Sequence, residues 1–428
     1  MNYRLGHTTI EDIRFGARTE VRERVLYIDK AEMEALLSEI PRIKKVKVEL
    51  AHPGESIRII PVKDVTEPRV KVDGPGVVFP GWVGGVETVG QGQTNILAGV
   101  AVVNCGRLVN FQEGIIDMTG PAADYVPYAN TLNVVLLIEP EDGLGKHEHE
   151  AAERLVGLRA AAYLGETARN IEPDGLEQYE LLSLPDKLAR YGHLPRVVYV
   201  MMVLSQGLMH DTYVYGVDAK GILPTLLEPT ELSDGAVISG NCAGPCHKNT
   251  TYSYQNNPIV RELMQRDRKE LCFLGVILTN ESAMLKGKER SSSYTAKIAR
   301  MLGAEGAIIS EDGGGNPETD LMLICRKLEE LGIKTVLVTD EYAGRDGGSQ
   351  GLADVVPEAD AIVTNGNGNM LIDLPPMEKV LGYPDVVEII TGGFAGSLRE
   401  DGSMQVEIAA LLSSCSEVGL GKLTCRTK

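Results

Sequence analysis

The sequence predicts an α/β protein with a β-rich N-terminal part and a mainly parallel, Rossmann-like sheet that carries helices on both faces. Three observations support this fold class. Short β-rich runs alternate with charged turns at 20–72, glycine is frequent at 74–96, and apolar runs alternate with helical stretches after Pro195. The last pattern is typical of a parallel sheet covered on both faces. We therefore predict a β-rich domain at 1–130 and an α/β domain at 131–428.

The N-terminal part contains several short segments rich in β-branched residues. VLYID, KKVKVEL, SIRIIPV and PRVKV are predicted strands, and AEMEALLSEI is a predicted helix between them. Two buried strands follow at AGVAVVNC and NVVLLIEP. The stretch HEHEAAERLVGLRAAAYLGETAR is a predicted helix, because it is rich in Ala and Leu and its apolar positions repeat near every 3.6 residues.

The C-terminal part alternates predicted strands with predicted helices. The strands are VVYVMMVL, GAVISG, FLGVILT, GAIIS, KTVLVT, DAIVTN and VVEIIT, and the helices include PIVRELMQRD, YTAKIARMLG and PETDLMLICRKLEELG. An open α/β sheet normally places its site beyond the carboxyl ends of its strands. Polar residues that directly follow these strands are therefore the first candidates for function.

Composition excludes several classes of protein. Asp and Glu outnumber Lys and Arg by 60 to 42, which gives a formal charge of -18 and argues against a nucleic-acid partner. The longest apolar run, at 197–204, is too short for a secretory signal or a membrane span, which needs about 18 residues. Seven irregularly spaced cysteines indicate reduced thiols in the cytoplasm rather than a disulfide framework.

Two groups of polar residues follow predicted strands. His210 and Asp211 come after VVYVMMVL, where His210 is a natural proton carrier and Asp211 can orient its ring. A histidine hydrogen-bonded into a loop is the alternative. Asp340, Glu341 and Arg345 come after KTVLVT and suit a small charged substrate, or they pair with one another.

No metal site is predicted. His147 and His149 are two residues apart on a predicted helix, so their side chains point to nearly opposite sides. The run CAGPCH, with Cys242, Cys246 and His247, lacks a second paired cluster of ligands.

The stretch GAVISGNCAGPC places a nucleophilic thiol at the end of a predicted strand. Cys242 follows Gly240 and Asn241, and attack of its sulfur on the Asn241 carbonyl would replace the peptide bond with a thioester. Elimination would then free the N-terminal fragment, and hydrolysis would leave a pyruvoyl group. An inert buried cysteine is the alternative.

Longer stretches carry a resemblance to a known family. They are HPGESIRIIPVKDVTEPRVKV, FQEGIIDM, KHEHEAA, SQGLMHDTYVYGVDAKGILPT, SGNC, NNPIV, KERSSS, GNPETDL, VTDEYAGRDGG and GSLREDGS. Through them the chain resembles, nearly end to end, the component B proproteins of the glycine, sarcosine and betaine reductases, which are selenium-dependent enzymes of amino-acid-fermenting anaerobes. The resemblance implies cleavage between Asn241 and Cys242, fragments 1–241 and 242–428 that stay together, and a pyruvoyl group derived from Cys242.

The resemblance also implies an oxidoreductase subunit with two protein partners, a selenocysteine-containing component B subunit and the component A selenoprotein, and a pathway to acetyl phosphate. The pyruvoyl carbonyl would capture a substrate amine as an iminium. Glycine is favoured because betaine has a quaternary nitrogen and cannot condense, and sarcosine or betaine are alternatives. Further alternatives are a D-proline reductase-like proprotein and an uncut, non-catalytic partner subunit.

Overall fold

A computed structural model of the chain describes residues 1–207, 209, 211–240 and 243–420. The first strands are β1 (Asn2–Thr9), β2 (Asp12–Phe15), β3 (Glu20–Arg22), β4 (Val25–Ile28), β5 (Ile43–Ala51), β6 (Ile57–Thr66), β7 (Arg69–Asp73), β8 (Gly92–Ala98), β9 (Val100–Gly106), β10 (Gly114–Asp117), β11 (Leu132–Pro140) and β12 (Gly175–Glu180). The later strands are β13 (Arg196–Val203), β14 (Tyr213–Val214), β15 (Val217–Asp218), β16 (Thr225–Leu227), β17 (Val237–Ile238), β18 (Cys272–Asn280), β19 (Gly306–Ser310), β20 (Lys334–Glu341), β21 (Ile362–Asn367), β22 (Leu371–Leu374), β23 (Lys379–Gly382) and β24 (Met404–Glu407). The helices are α1 (Lys30–Ser38), α2 (Lys146–Gly165), α3 (Leu184–Tyr191), α4 (Pro229–Ser233), α5 (Thr251–Gln255), α6 (Pro258–Arg266), α7 (Leu285–Leu302) and α8 (Asn316–Glu329). The predicted mixed α/β class is confirmed.

The N-terminal part contains the small sheet β2-β4-β3 and is built mainly on two larger sheets. One has the strand order β12-β1-β8-β7, and the other has the order β10-β6-β9-β11-β5. Strands β6 and β9 are buried along their whole length, because α2 and the segments after β21 cover the second sheet. The predicted domain boundary between residues 130 and 131 stays a prediction. Strand β11, which follows it, pairs with β9 and β5, and the late strand β23 pairs with β6.

A parallel sheet organises the second half of the chain. Its order is β16-β18-β13-β19-β20-β21, and all its strands are parallel except β16 at the edge. Helices α7 and α8 pack on one face, and α4, α5 and α6 pack on the other. The buried helix residues on the first face include Ala296, Ala299, Leu321 and Leu328, and those on the second include Leu232, Tyr254, Val260 and Leu263.

The predicted strand GAVISG forms only the two-residue strand β17, which pairs with β14 outside the parallel sheet, and the predicted strand VVEIIT at 386–391 is wrong. Pro384–Glu388 forms a turn of 3-10 helix, and the N–H of Gly393 then donates to the carbonyl of Ile390 at 3.0 Å. A Cβ at Gly393 would lie 1.6 Å from the carbonyl oxygen of Val387, so the chain folds back tightly there. The apolar side chains of this run pack on the sheet that contains β6, but the run is not a strand of any sheet. A short apolar run in a sequence does not distinguish these two arrangements.

Buried ion pairs join strands β6 and β10 of the second sheet and attach this sheet to α2. Lys63 lies 3.0 Å from both Glu113 and Glu153, and all three side chains are buried. Burial opposes protonation of Lys63, but the two carboxylates outweigh it and raise the pKa of this amine above its ordinary value. Arg58 makes a bidentate pair with Asp117, at 2.7 and 2.8 Å, and both side chains are fully buried.

We predict that a chain cut between residues 241 and 242 stays one folded unit. Strand β13 precedes this point, yet it lies between β18 and β19, which follow it. Separation would expose a central strand that is buried on both faces, at a cost of about 25 cal/mol per Å² of apolar surface. The two fragments should co-elute on gel filtration even in about 1 M salt, which screens exposed charges. Their separation without denaturant would contradict the shared sheet.

Candidate active site

The segment before the predicted cleavage position is fixed by buried hydrogen bonds. Asn241, Cys242 and His210 lie outside the described residues, but their neighbours are described. The N–H of Ser239 donates to Oγ1 of Thr251 at 3.1 Å, and the guanidinium of Arg154 donates to the carbonyl of Ser239. Thr251 in turn donates its N–H and its hydroxyl to the Asp64 carboxylate, at 2.9 and 2.6 Å. Ser239 is therefore linked through Thr251 to a buried carboxylate of β6.

The backbone of Asp211 packs directly against Gly240. A Cβ at Gly240 would lie 2.5 Å from the carbonyl carbon of Asp211, so this approach requires glycine. The Asp211 carboxylate accepts the N–H of Gly207 at 3.0 Å and lies 2.5 Å from Nζ of Lys220. The structure thus brings residue 211 next to residue 240, and the catalytic role predicted for Asp211 stays a prediction.

Backbone hydrogen bonds also hold the segment after the predicted cleavage position. Ala243 is buried, the carbonyl of Pro245 accepts the N–H of Ser413 at 2.8 Å, and the carbonyl of Cys246 accepts the N–H of Cys415 at 2.9 Å. Residues on both sides of the predicted cut are therefore anchored to elements distant in sequence.

A cluster of ionisable groups lies where this segment meets the carboxyl ends of β19 and β20. We define the His247 cluster as Cys246, His247, Glu311, Asp340 and Glu417, all of which are buried. Nδ1 of His247 lies 2.8 Å from Oδ2 of Asp340 and 3.6 Å from Oε1 of Glu417. Nε2 of His247 lies 2.6 Å from the hydroxyl of Tyr342, and that hydroxyl lies 3.3 Å from the Cys246 sulfur.

Burial and mutual contact shift the pKa values in this cluster. Burial raises the pKa of Glu311 and of Glu417 well above the ordinary value, and the charge of Asp340 adds to both shifts. Burial opposes protonation of His247, but the charges of Asp340 and Cys246 outweigh it and raise the pKa of the imidazole. Burial likewise opposes ionisation of Cys246, yet the Cys415 thiol and His247 lower the pKa of Cys246 to about 6.

A cavity of about 530 Å³ adjoins the cluster. It is lined by Gly244, His247 and Tyr342, and by the glycine-rich loop between β19 and α8. A Cβ at Gly314 would lie 3.3 Å from both His247 and Tyr342, so the absence of a side chain lets the loop approach them. Gly244, which lines the cavity, comes two residues after Cys242 in the sequence. The cavity has room for a small amino acid.

The predicted substrate-binding residues have different surroundings. Asp340 belongs to the His247 cluster, and the side chain of Glu341 lies beside Gly351. Arg345 is half exposed, pairs with Glu407 at 2.8 Å and lies over the ring of Phe394. Their role in substrate binding stays a prediction.

Sequence reasoning did not identify Tyr342, Glu311 or Glu417 as site residues, and it considered His247 only as a zinc ligand. The position of Glu311 directly after β19 was a usable signal, because it follows the same rule that selected Asp340. Glu417 follows no strand of the parallel sheet, so no sequence pattern marks it.

The family model described as "Glycine/sarcosine/betaine reductase component B subunits" matches residues 1–426. The chain belongs to this family. Two relatives named glycine reductase complex component B subunits alpha and beta, from Acetoanaerobium sticklandii and Peptoclostridium acidaminophilum, are 55% and 53% identical. A relative from P. acidaminophilum named sarcosine reductase complex component B subunit alpha is 50% identical. Each alignment covers 100% of both chains.

More distant component B relatives and related reductases also match. A betaine reductase complex component B subunit alpha of P. acidaminophilum is 37% identical over 100% of both chains. The D-proline reductase proprotein PrdA of A. sticklandii is 23% identical over 73% of this chain and 51% of its own length. No solved structure matches the chain. The predicted family and its oxidoreductase class are confirmed. None of the helices among the described residues has the length and apolar composition needed to cross a membrane.

We predict that Thr251 positions the cleavage segment. Thr251→Val removes the hydroxyl between Ser239 and Asp64, so it should slow cleavage and lower the free energy of unfolding by about 1–3 kcal/mol. Thr251→Ser keeps the hydroxyl and should be cut almost as fast as the wild type. Band intensities on denaturing gels over time measure cleavage, and thermal denaturation measures stability. Wild-type cleavage and stability in Thr251→Val would show that the contact is dispensable.

Proposed function

We propose that this chain is the proprotein of a substrate-binding reductase subunit, cut between Asn241 and Cys242 so that Cys242 becomes a pyruvoyl group. The observation that carries the proposal is the buried anchoring of Ser239 and Gly240 on one side and of Pro245 and Cys246 on the other, beside the cavity. The names of the two glycine reductase relatives support it, because each gives two subunits, alpha and beta, for one chain of this length.

The described neighbours fit a carbonyl group at position 242. Ser239 and Ala243 are buried, which keeps bulk water away, and Gly240 allows the Asp211 backbone to pack closely. A pyruvoyl carbonyl supplies an electrophile that condenses with a substrate amine. Arg154 and Thr251 hold Ser239, which precedes that position in the sequence, and we propose that the 530 Å³ cavity lined by Gly244 receives the substrate.

Glycine is the substrate that we propose. Its primary amine can condense with a carbonyl, as can the secondary amine of sarcosine, whereas the quaternary nitrogen of betaine cannot. Identity follows the same order, at 55% and 53% for glycine reductase relatives, 50% for sarcosine and 37% for betaine. Sarcosine or betaine is the alternative. A D-proline reductase function is less favoured, because that relative matches at only 23%.

The partners that we propose are a selenocysteine-containing component B subunit and the component A selenoprotein. The sequence contains no selenocysteine, so a partner must supply it. We also propose that the parallel sheet is Rossmann-like. When its five parallel strands are numbered along the chain, their order is 2-1-3-4-5, which is a doubly wound order with helices on both faces. The described cysteines are all free thiols, which supports the cytoplasm as the location.

We predict that Cys242→Ala abolishes cleavage, because it removes the sulfur that an acyl shift requires. The wild type should give two bands on a denaturing gel, and mass spectrometry should find a pyruvoyl group at the N-terminus of the smaller fragment. Cys325→Ala, a change in the buried face of α8, is the matched control and should be cut normally. A single full-length band from the wild type would instead support an uncut partner subunit, and cleavage of Cys242→Ala at the same bond would refute the mechanism.

We predict that the His210→Ala variant is cut and folds normally. Its turnover of glycine, measured with the selenoprotein partners supplied, should be lower by about 10²- to 10⁴-fold. The close packing of the neighbouring Asp211 against Gly240 supports a place for His210 near the reacting group. His193→Ala, at an exposed histidine, serves as the control. Near wild-type turnover of His210→Ala would remove His210 from the mechanism.

A further inference from the structure

We infer that the His247 cluster binds one divalent transition-metal ion, with zinc foremost. The sequence predicted no metal, because Cys242, Cys246 and His247 have no second pair of ligands nearby in the chain. Folding brings the missing ligands from Glu311, Asp340 and Glu417.

The spacing of the ligand atoms suits a single ion. One ligand atom each from Cys246, His247 and Asp340 lies within 4.8 Å of the others, and the same holds for Glu311, Asp340 and Glu417. Zinc bonds to sulfur, nitrogen and oxygen are about 2.0–2.3 Å long, so ligand atoms of a tetrahedral site lie about 3.3–3.8 Å apart, and groups already within 4.8 Å of one another need only small side-chain shifts to bind one ion. Asp340 is common to both sets, which places a shared ion beside it.

Unpaired buried atoms point to the same position. Both carboxylate oxygens of Glu417 and Oε2 of Glu311 are buried and have no hydrogen-bond partner. Nδ1 of His247 and Oδ2 of Asp340 also have no hydrogen-bond partner, although they form an ion pair at 2.8 Å. Unpaired buried polar atoms are costly, and a cation between them would satisfy all four groups.

The charge of the cluster calls for a cation. Among the ion pairs formed by the described residues, none joins Glu311, Asp340 or Glu417 to a lysine or arginine, and His247 is the basic group that faces them. Three buried carboxylates and a thiol therefore surround one imidazole. A divalent ion would compensate the negative charge of these groups in their ionised forms.

The ligand types indicate which ion binds. Thiolate, imidazole and carboxylate are zinc ligands, whereas magnesium and calcium prefer oxygen alone. Nε2 of His247 already contacts the Tyr342 hydroxyl at 2.6 Å, so Nδ1, which faces the carboxylates of Asp340 and Glu417, is the nitrogen that would bind the ion. A hydrogen bond of this kind on the second nitrogen is the usual support of a metal-binding histidine.

Metal analysis of the full-length protein tests this inference. Protein purified without chelators should contain about one zinc per chain, and His247→Ala and Asp340→Asn should bind zinc at least about 100-fold more weakly. Asp320→Asn is the matched control, because Asp320 is a buried carboxylate that pairs with Lys288 outside the cluster, and it should keep the metal. Cys242→Ala should also keep it, which separates this result from the cleavage proposal.

Cobalt substitution provides a second measurement for variants that retain the fold. Co²⁺ bound to the wild type should show a thiolate charge-transfer band, and Cys246→Ser should lose this band while circular dichroism stays unchanged. Protein that contains no metal and takes up neither Zn²⁺ nor Co²⁺ on titration would overturn the inference. Unchanged zinc binding in both His247→Ala and Asp340→Asn would overturn it as well.

Discussion

The structure depends on the burial of β13 between strands that follow the predicted cut. This strand lies between β18 and β19, and apolar side chains cover both of its faces. The chain leaves β13 at the carboxyl edge of the sheet, adds the antiparallel edge strand β16, and returns to the parallel strands at Cys272, where β18 begins. The intervening segment therefore starts at the edge where open α/β sheets place their sites, and residues 239–247 lie within it. The strand order therefore sets where this segment starts, and the predicted cleavage position lies within the segment.

Several of the stretches that mark the family have a structural explanation. Arg58 and Asp117, from two of those stretches, form a fully buried bidentate pair. Lys63 joins Glu113 to Glu153 and so connects β6 to the loop before β10 and to α2. Breaking such pairs by removing one partner typically costs about 3–5 kcal/mol, because it leaves a buried charge uncompensated. Charged residues in these stretches therefore contribute to the packing of the sheet in this chain.

The parallel strands could be predicted from sequence because strands buried on both faces are nearly continuous apolar runs. VVEIIT has the same composition but forms a turn against the β6 sheet, and local composition does not distinguish the two. At the site, Asp340 could be found because it lies at the end of a strand. The contacts of His247 with Asp340 and Glu417 could not, because they join residues far apart in sequence and depend on the complete fold.

Two cysteines four residues apart raise the question of which one acts as the nucleophile. The pKa of Cys246 is lowered to about 6, so acidity alone would favour Cys246. Its sulfur, however, is engaged by the Tyr342 hydroxyl at 3.3 Å and, in our inference, by the metal ion, and both interactions stabilise the thiolate and reduce its nucleophilicity. The carbonyl that it would attack, that of Pro245, is also held by the N–H of Ser413 at 2.8 Å. The surroundings of Cys246 therefore suit a metal ligand. Cys242 remains the proposed nucleophile of the acyl shift.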